Sequence, residues 1–265
     1  MCSGDAQSAF LNGLNHIRMG LLSGENLHGL LKETEYYLSL MGKQQQNQTK
    51  ARLLLFHETI SLLISNKEYV APTFAAADIP ANARDSLPLE HCFHKCFQSF
   101  FNSKSERCSH FAEKMLQSTE GARHHHIFIT FYYALNSFKV AETVHTQKLR
   151  AVPEGAITTL KSATELSEWN FQNKVELLQA ELYHREDELD KSKEAYYAAI
   201  ASAKRSKFIH EEGLACEKAA CHFKKIGDTS EALKLFSQAR ECYVNWGSKV
   251  KVNDIDKQIL QLNSQ

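Results

Sequence analysis

ALKLFSQARECYVNWGSKVKV, residues 232–252, decides the fold. Ala232, Phe236, Ala239, Tyr243 and Trp246 fall at i, i+4, i+7, i+11 and i+14, one face of a helix on which small and large side chains alternate. The small residues let a neighbouring helix approach closely, and the large ones fill the space that remains. Gly247 follows at once, where a left-handed residue would end the helix. Lys249 to Leu262 then reads as a second amphipathic helix. Its inward face holds Val252, Ile255, Ile259 and Leu262, and its outward face Lys251, Asp254, Lys257 and Gln261. A helical array needs such a lid over its exposed end.

Working upstream, the same order of side chains returns. Ser192, Tyr196, Ala199 and Ala203 repeat the spacing, as do Ala156, Leu160, Ala163 and Ser167, and more weakly Cys108, Ala112, Met115 and Thr119. First helices precede these second helices: Phe171, Val175, Leu178 and Leu182 form one stripe, Ala180 and Tyr183 precede Asp187, and Ala220 and Phe223 precede Gly227. Short turns, EDELDK and IGDTSE, separate the pairs, with Asp228 or Thr229 as the N-cap of the second helix. The expected fold is all-α, a tetratricopeptide-like α-α superhelix of stacked hairpins with a C-terminal capping helix.

The rest of the chain is helical but less regular. Residues 5–22 and 26–41 read as a helix pair joined at SGEN, capped by Ser23 or Asn26, followed by the connector MGKQQQNQT (41–49) and a helix over 51–65. Three of the four prolines fall in 66–88, which carries no helical stripe, and HTQKLRAVPEG (145–155) reads as a second break with Pro153 near a helix start. The expected division is 1–66 N-terminal hairpins, 67–88 loop, 89–246 repeats and 247–265 capping helix. Residues 5–22 resemble the middle of an array without an N-terminal cap.

Composition narrows the function. With 31 basic and 31 acidic residues, no global field draws nucleic acid or an anionic membrane. No apolar run reaches the length of a membrane span, and ARLLLFHETISLLIS (51–65) carries Arg52, His57 and Glu58 inside it. MCSGDAQSAF shows neither a secretory signal nor, with Cys2 after Met1, a myristoylation site. Seven cysteines without a framework spacing point to reduced thiols and a cytoplasmic setting.

HEEGLACEKAACHFKKIGDTSEALKLFSQARECYVNWGSKVKVNDI (210–255) resembles the C-terminal end of the tetratricopeptide-like module that follows the P-loop ATPase domain in multi-sensor hybrid histidine kinases and ATPase-linked serine/threonine kinases. The family pattern is roughly F-x-H-E-E-A-L-A-x-E, a G-x-x-x-x-A turn, then A-x-x-x-Y-x-x-W-G-A-x-x-K-V. Here it falls on Phe208, His210, Glu211, Glu212, Leu214, Ala215, Glu217, Gly227, Ala232, Ala239, Tyr243, Trp246, Gly247, Lys251 and Val252. SGENL (23–27) and EWNFQNKVELLQAEL (168–182) look like further parts of it. Gly213 departs from the usual alanine. The chain carries no G-x-x-x-x-G-K-[ST] loop, kinase catalytic loop or phosphoacceptor-histidine domain. The resemblance therefore implies a non-enzymatic, cofactor-free scaffold, with a peptide segment or a P-loop ATPase or kinase domain as partner and neither nucleic acid nor membrane. A stand-alone adaptor is the alternative.

Candidate chemistry is weaker than these patterns. HCFHKC (91–96) with Cys108 and His110 could be imagined as a zinc site from Cys92, Cys96, Cys108 and a histidine, but Cys108 occupies a core position of the repeat. HHH (124–126) points around a helix rather than converging. HETIS and HEEGL lack the second histidine of H-E-x-x-H, and Glu211 and Glu212 suit a helix first turn. AKRSK (203–207) suits a helix end. Asn170, Asn173 and Lys174 are too few for a carboxylate clamp. On the first helices, Lys174, Glu181, His184 and Glu217 are the residues expected to line a concave groove.

Overall fold

The computed structural model describes residues 6–41, 47–65, 88–118, 123–142, 144 and 147–264, and among the described residues it contains twelve helices and no strand. The chain opens with α1 (Ala6–Ser23), α2 (Leu27–Met41) and α3 (Asn47–Ser65). Then come α4 (Pro88–Phe101), α5 (Ser105–Leu116) and α6 (Arg123–Ala141). The repeat region follows as α7 (Gln147–Thr164), α8 (Glu168–Arg185), α9 (Leu189–Arg205), α10 (Ile209–Lys225) and α11 (Thr229–Trp246), and α12 (Lys249–Asn263) closes the chain. Each helix packs chiefly on its neighbours in sequence, as a helical-repeat superhelix requires. Nearly all of the expected loop at 67–88 and the middle of the connector at 41–49 lie outside the described residues.

One turn geometry joins the hairpins. Asp187, Lys207, Gly227 and Gly247 all have positive φ, between 58° and 93°, and recur every 20 residues. At Gly247 the amide donates to the Val244 carbonyl at 3.1 Å, and the Ser248 amide donates back to Tyr243 at 3.0 Å. This double closure satisfies the last carbonyls of α11. The Glu188, Phe208 and Asp228 amides reach back to Tyr183, Ala203 and Phe223 in the same way. Downstream, the Asp228 side chain accepts from the Glu231 amide at 3.0 Å, so Asp228 rather than Thr229 is the cap. Asn26 caps α2, accepting from the His28 and Gly29 amides.

The small–large–small stripes are core. Ala232, Phe236, Ala239, Tyr243 and Trp246 are buried, as are Ser192, Tyr196, Ala199 and Ala203, and Ala156, Leu160 and Ala163. Trp246 is fully enclosed. Its ring lies 5.0 Å from that of Phe101 on α4, 5.3 Å from His210 and 6.4 Å from Tyr243. Phe97, Phe100, Phe101 and Tyr132 extend this aromatic cluster at centroid distances of 4.9 to 5.7 Å.

The contact between Phe101 and Trp246 is one of several that join parts of the array far apart in sequence. The turn between α1 and α2 docks on the far end of the chain. Asn26 Nδ2 donates to the Asn245 carbonyl at 2.8 Å, and a Cβ on Gly24 would meet His210 Nδ1 at 2.3 Å. Ser248 Oγ, the cap of α12, also donates to the Leu63 carbonyl at the end of α3, at 2.7 Å. Consequently α12 is wedged between α11 and α3 rather than lying on a free end.

Pro153 corrects an expectation. The helix starts at Gln147, so Pro153 sits inside α7 and not at its first turn. Its ring crowds the carbonyl four residues back and withholds a donor. Arg185 from α8 donates to the neighbouring Arg150 carbonyl at 3.2 Å and lies 3.6 Å from Glu154, tying this part of the helix to α8.

Candidate functional site

The first helices α6, α8 and α10, with α12, turn one face toward a common concavity of about 590 Å³. Its wall includes Leu135 and Phe138 from α6, Glu181 and His184 from α8, Glu217, Lys218 and His222 from α10, and Lys251 and Asp254 from α12. Three of the four expected groove residues, Glu181, His184 and Glu217, are therefore brought together.

A repeated polar clasp shapes this wall. Glu181 on α8 accepts from the Tyr196 hydroxyl of α9 at 2.6 Å and from Lys218 of α10 at 3.2 Å. On the next first helix, one turn nearer its start, Glu217 on α10 accepts from the Tyr243 hydroxyl of α11 at 2.6 Å and from Lys251 of α12 at 2.8 Å. Each carboxylate thus binds its own hairpin partner and the next first helix. Burial alone would push the Glu217 carboxyl up, but Lys251 and Tyr243 hold it below the usual carboxylate value. Lys251, expected on an outward face, is buried by this contact. The two carboxylates do not occupy equivalent positions of the repeat, so the clasps are visible only once the helices are stacked.

Beside the clasp, His184 Nδ1 and His222 Nδ1 lie 2.8 Å apart, so one ring donates to the other. Burial lowers both pKa values, and for His222, taken to about 4, the proximity of His184 adds to it. Lys225 lowers both further. The pair is neutral at neutral pH, which suits a hydrogen bond in which one nitrogen must accept.

Lys174 corrects the groove assignment. It is fully buried between α8 and α10, where its ammonium donates to Glu211 Oε2 at 2.6 Å and to the Asn170 carbonyl at 2.8 Å. The rings of Phe128, Phe131, Phe171 and Phe208 surround it at 4.8 to 5.9 Å. Burial lowers its pKa and Glu211 opposes that. Glu211 also accepts from Asn173 Nδ2 at 2.6 Å, so it serves as a buried counter-ion and not as a solvated first-turn acid. His210 beside it is buried and neutral, its pKa pushed down to about 4 by desolvation and facing Tyr132 at 3.5 Å. His210 and Glu211 of the F-x-H-E-E stretch thus belong to an internal polar network enclosed by aromatic rings.

The remaining candidates are structural. Cys92, Cys96 and Cys108 are buried, with Cys96 and Cys108 Sγ atoms 3.5 Å apart, and His94 Nδ1 is engaged with Thr59 Oγ1 at 2.8 Å. Among the described residues no group of three or more His, Cys, Asp or Glu is arranged to hold a metal ion. Of the three consecutive histidines, the side chains of residues 124 and 125 lie outside the described set. Lys204 and Arg205 fall in the last turn of α9. No described helix is long and apolar enough to cross a membrane. Set against models of known families and against curated proteins, the chain matches none.

Proposed function

We propose that this chain is a non-enzymatic interaction module whose concave groove, formed by α6, α8, α10 and α12, holds a segment of a partner protein. The observation that carries the reading is the groove itself: some 590 Å³ walled by successive first helices and held to shape by the Glu181 and Glu217 clasps. Repeat arrays use the concavity their curvature creates as an extended binding surface. The floor mixes apolar patches (Leu135, Phe138, Leu214) with side-chain amides (Gln258, Gln261), a combination suited to a peptide's side chains and backbone. The sequence resemblance over 168–252 names the partner class: a P-loop ATPase or kinase domain of a signalling system, which the module would regulate from the same or a separate chain.

Cys221 provides the test, because it is exposed and lines the groove. A random-peptide display library selected on the wild-type chain is expected to yield clones that lose binding to Cys221→Trp, whose indole fills the groove without entering the core. If the selected clones bind that variant as well as wild type, or if none are selected, the groove reading is wrong.

A further inference from the structure

A second, smaller cavity of about 270 Å³ opens at the junction of α3, α4 and α5, and Asn102 lines both it and the main groove. Together the two carry eight Lys and Arg against five Asp and Glu, in a chain whose totals are 31 and 31. The acids are largely committed inside the fold. Glu181 is taken by Lys218, Glu217 by Lys251, Asp254 by Lys257 and Glu58 by Lys95. Lys104, Arg107, Lys139 and Lys225 are left without an ion-pair partner among the described residues, and only Glu142 is free on the acidic side. Positive charge without an ion-pair partner among the described residues is therefore concentrated in the concavity. A concave, partly desolvated wall strengthens such a field.

From this we infer that the ligand is an acidic peptide segment, one rich in Asp or Glu, running from the α3–α5 mouth past Asn102 toward Lys225. The inference rests on the groove reading above and narrows it. The free cations sit at three separate places along the groove, Lys104 and Arg107 at the start of α5, Lys139 on α6 and Lys225 on α10, so they match carboxylates spaced along a chain rather than one convergent phosphate. The amides of Asn102, Gln258 and Gln261 lie among them, able to pair with a peptide backbone. His222, its pKa near 4, contributes no charge to the contact, and burial shifts His184 below the free imidazole as well, so binding is expected to hold steady between pH 7 and 8.

The test uses three fluorescein-labelled twelve-residue peptides of alternating Glu–Ala, Gln–Ala and Lys–Ala, with a twelve-nucleotide oligothymidine as a fourth probe, followed by anisotropy on the full chain. The Glu–Ala peptide is expected to bind most tightly, to weaken at least tenfold with Lys139→Glu plus Lys225→Glu, and to be lost with Cys221→Trp. Circular dichroism checks that the exposed substitutions leave the helices intact. Equal or tighter binding of the Gln–Ala or Lys–Ala peptide, itself lost with Cys221→Trp, overturns the acidic ligand and leaves the groove reading standing. Tighter binding of the oligothymidine overturns it in favour of a nucleic acid. Should none of the probes bind in a Cys221-dependent way, the acidic ligand is ruled out, and the display selection judges the groove separately.

Discussion

The helices from Glu168 to Trp246 run 18, 17, 17 and 18 residues, and their turns share one left-handed position every 20 residues. Those from Pro88 to Ala141 run 14, 12 and 19, and their core is dominated by a cluster of phenylalanines and tyrosines, with a single short stripe of Cys108, Ala112 and Met115 on α5. The first region meets the same packing problem repeatedly and solves it with local rules. The second is met from elsewhere: Phe101 receives Trp246, and Tyr132 faces His210. The regular hairpins therefore supply one side of the groove wall, and the irregular region supplies α6 opposite and the contacts that close the molecule around it.

The sharpest way to break the regular half is through its one fully buried ion pair. Removing either partner of Lys174–Glu211 leaves an uncompensated charge inside an aromatic shell. Lys174→Ala or Glu211→Ala is expected to cost about 3–5 kcal/mol in urea denaturation, while Lys174→Met combined with Glu211→Leu recovers most of that loss. Full stability in either single variant would mean the pair is solvated and α8 and α10 are packed less closely than described.

Acid probes the junction of the two halves. His210 lies against Trp246 and Phe101 and faces Glu211, Lys174 and Tyr132, with a pKa near 4 against 6.5 for a free histidine. Between those values the unfolded chain binds more protons than the folded one, so stability is undiminished above pH 6.5 and declines as pH falls toward 4. His222 adds a second proton in the same window. Each contributes a slope of about 1.4 kcal/mol per pH unit, and His210→Gln is expected to remove its own share. Denaturation midpoints measured from pH 7 to 4 on both proteins check this. A flat profile would place these rings in water.

Ring closure can be tested without touching a charge. Gly24 has φ of +83°, and any Cβ there would run into His210 Nδ1 at 2.3 Å. Gly24→Ala is expected to cost about 2 kcal/mol, from left-handed backbone strain and from displacing the α1–α2 turn. Faster proteolysis of α1 to α3 in that variant would show that the loss lies at the docking contact. A neutral effect would leave the start of the array unattached.

How far the sequence discloses this molecule depends on the distance over which each contact reaches. The α11 stripe and its glycine stop are readable because helix periodicity and a left-handed cap are local. The same turn at 187 and 207 is hidden, since Asp187 and above all Lys207 do not advertise a positive φ. Lys174 reads as a surface cation, and only Glu211, 37 residues on, explains its burial. Lys251 misleads in the same way, answered by Glu217 from 34 residues upstream. Docking of Gly24 on His210 spans most of the chain, and no pattern within a single helix encodes it.

The smallest expected effect concerns Gly213, a glycine inside α10. Helix propensity alone favours alanine there by about 1 kcal/mol. Yet a Cβ at this position would lie 3.0 Å from both Cys242 Cβ and Tyr243 Cε1. Tyr243 cannot give way freely, because its hydroxyl is held by Glu217 and its ring lies beneath Trp246. The propensity gain and the steric cost act in opposite directions on the same residue, and the clasp decides between them. Gly213→Ala is therefore expected to be neutral or to destabilise by less than about 1 kcal/mol in the wild-type background. The same substitution alongside Tyr243→Leu, which leaves α11 free to adjust, is expected to stabilise relative to Tyr243→Leu alone. Thermal melts of the four proteins measure the coupling. An additive result would show that the tightness of α10 against α11 owes nothing to the Glu217–Tyr243 contact, and that the regular half is held by its apolar stripes alone.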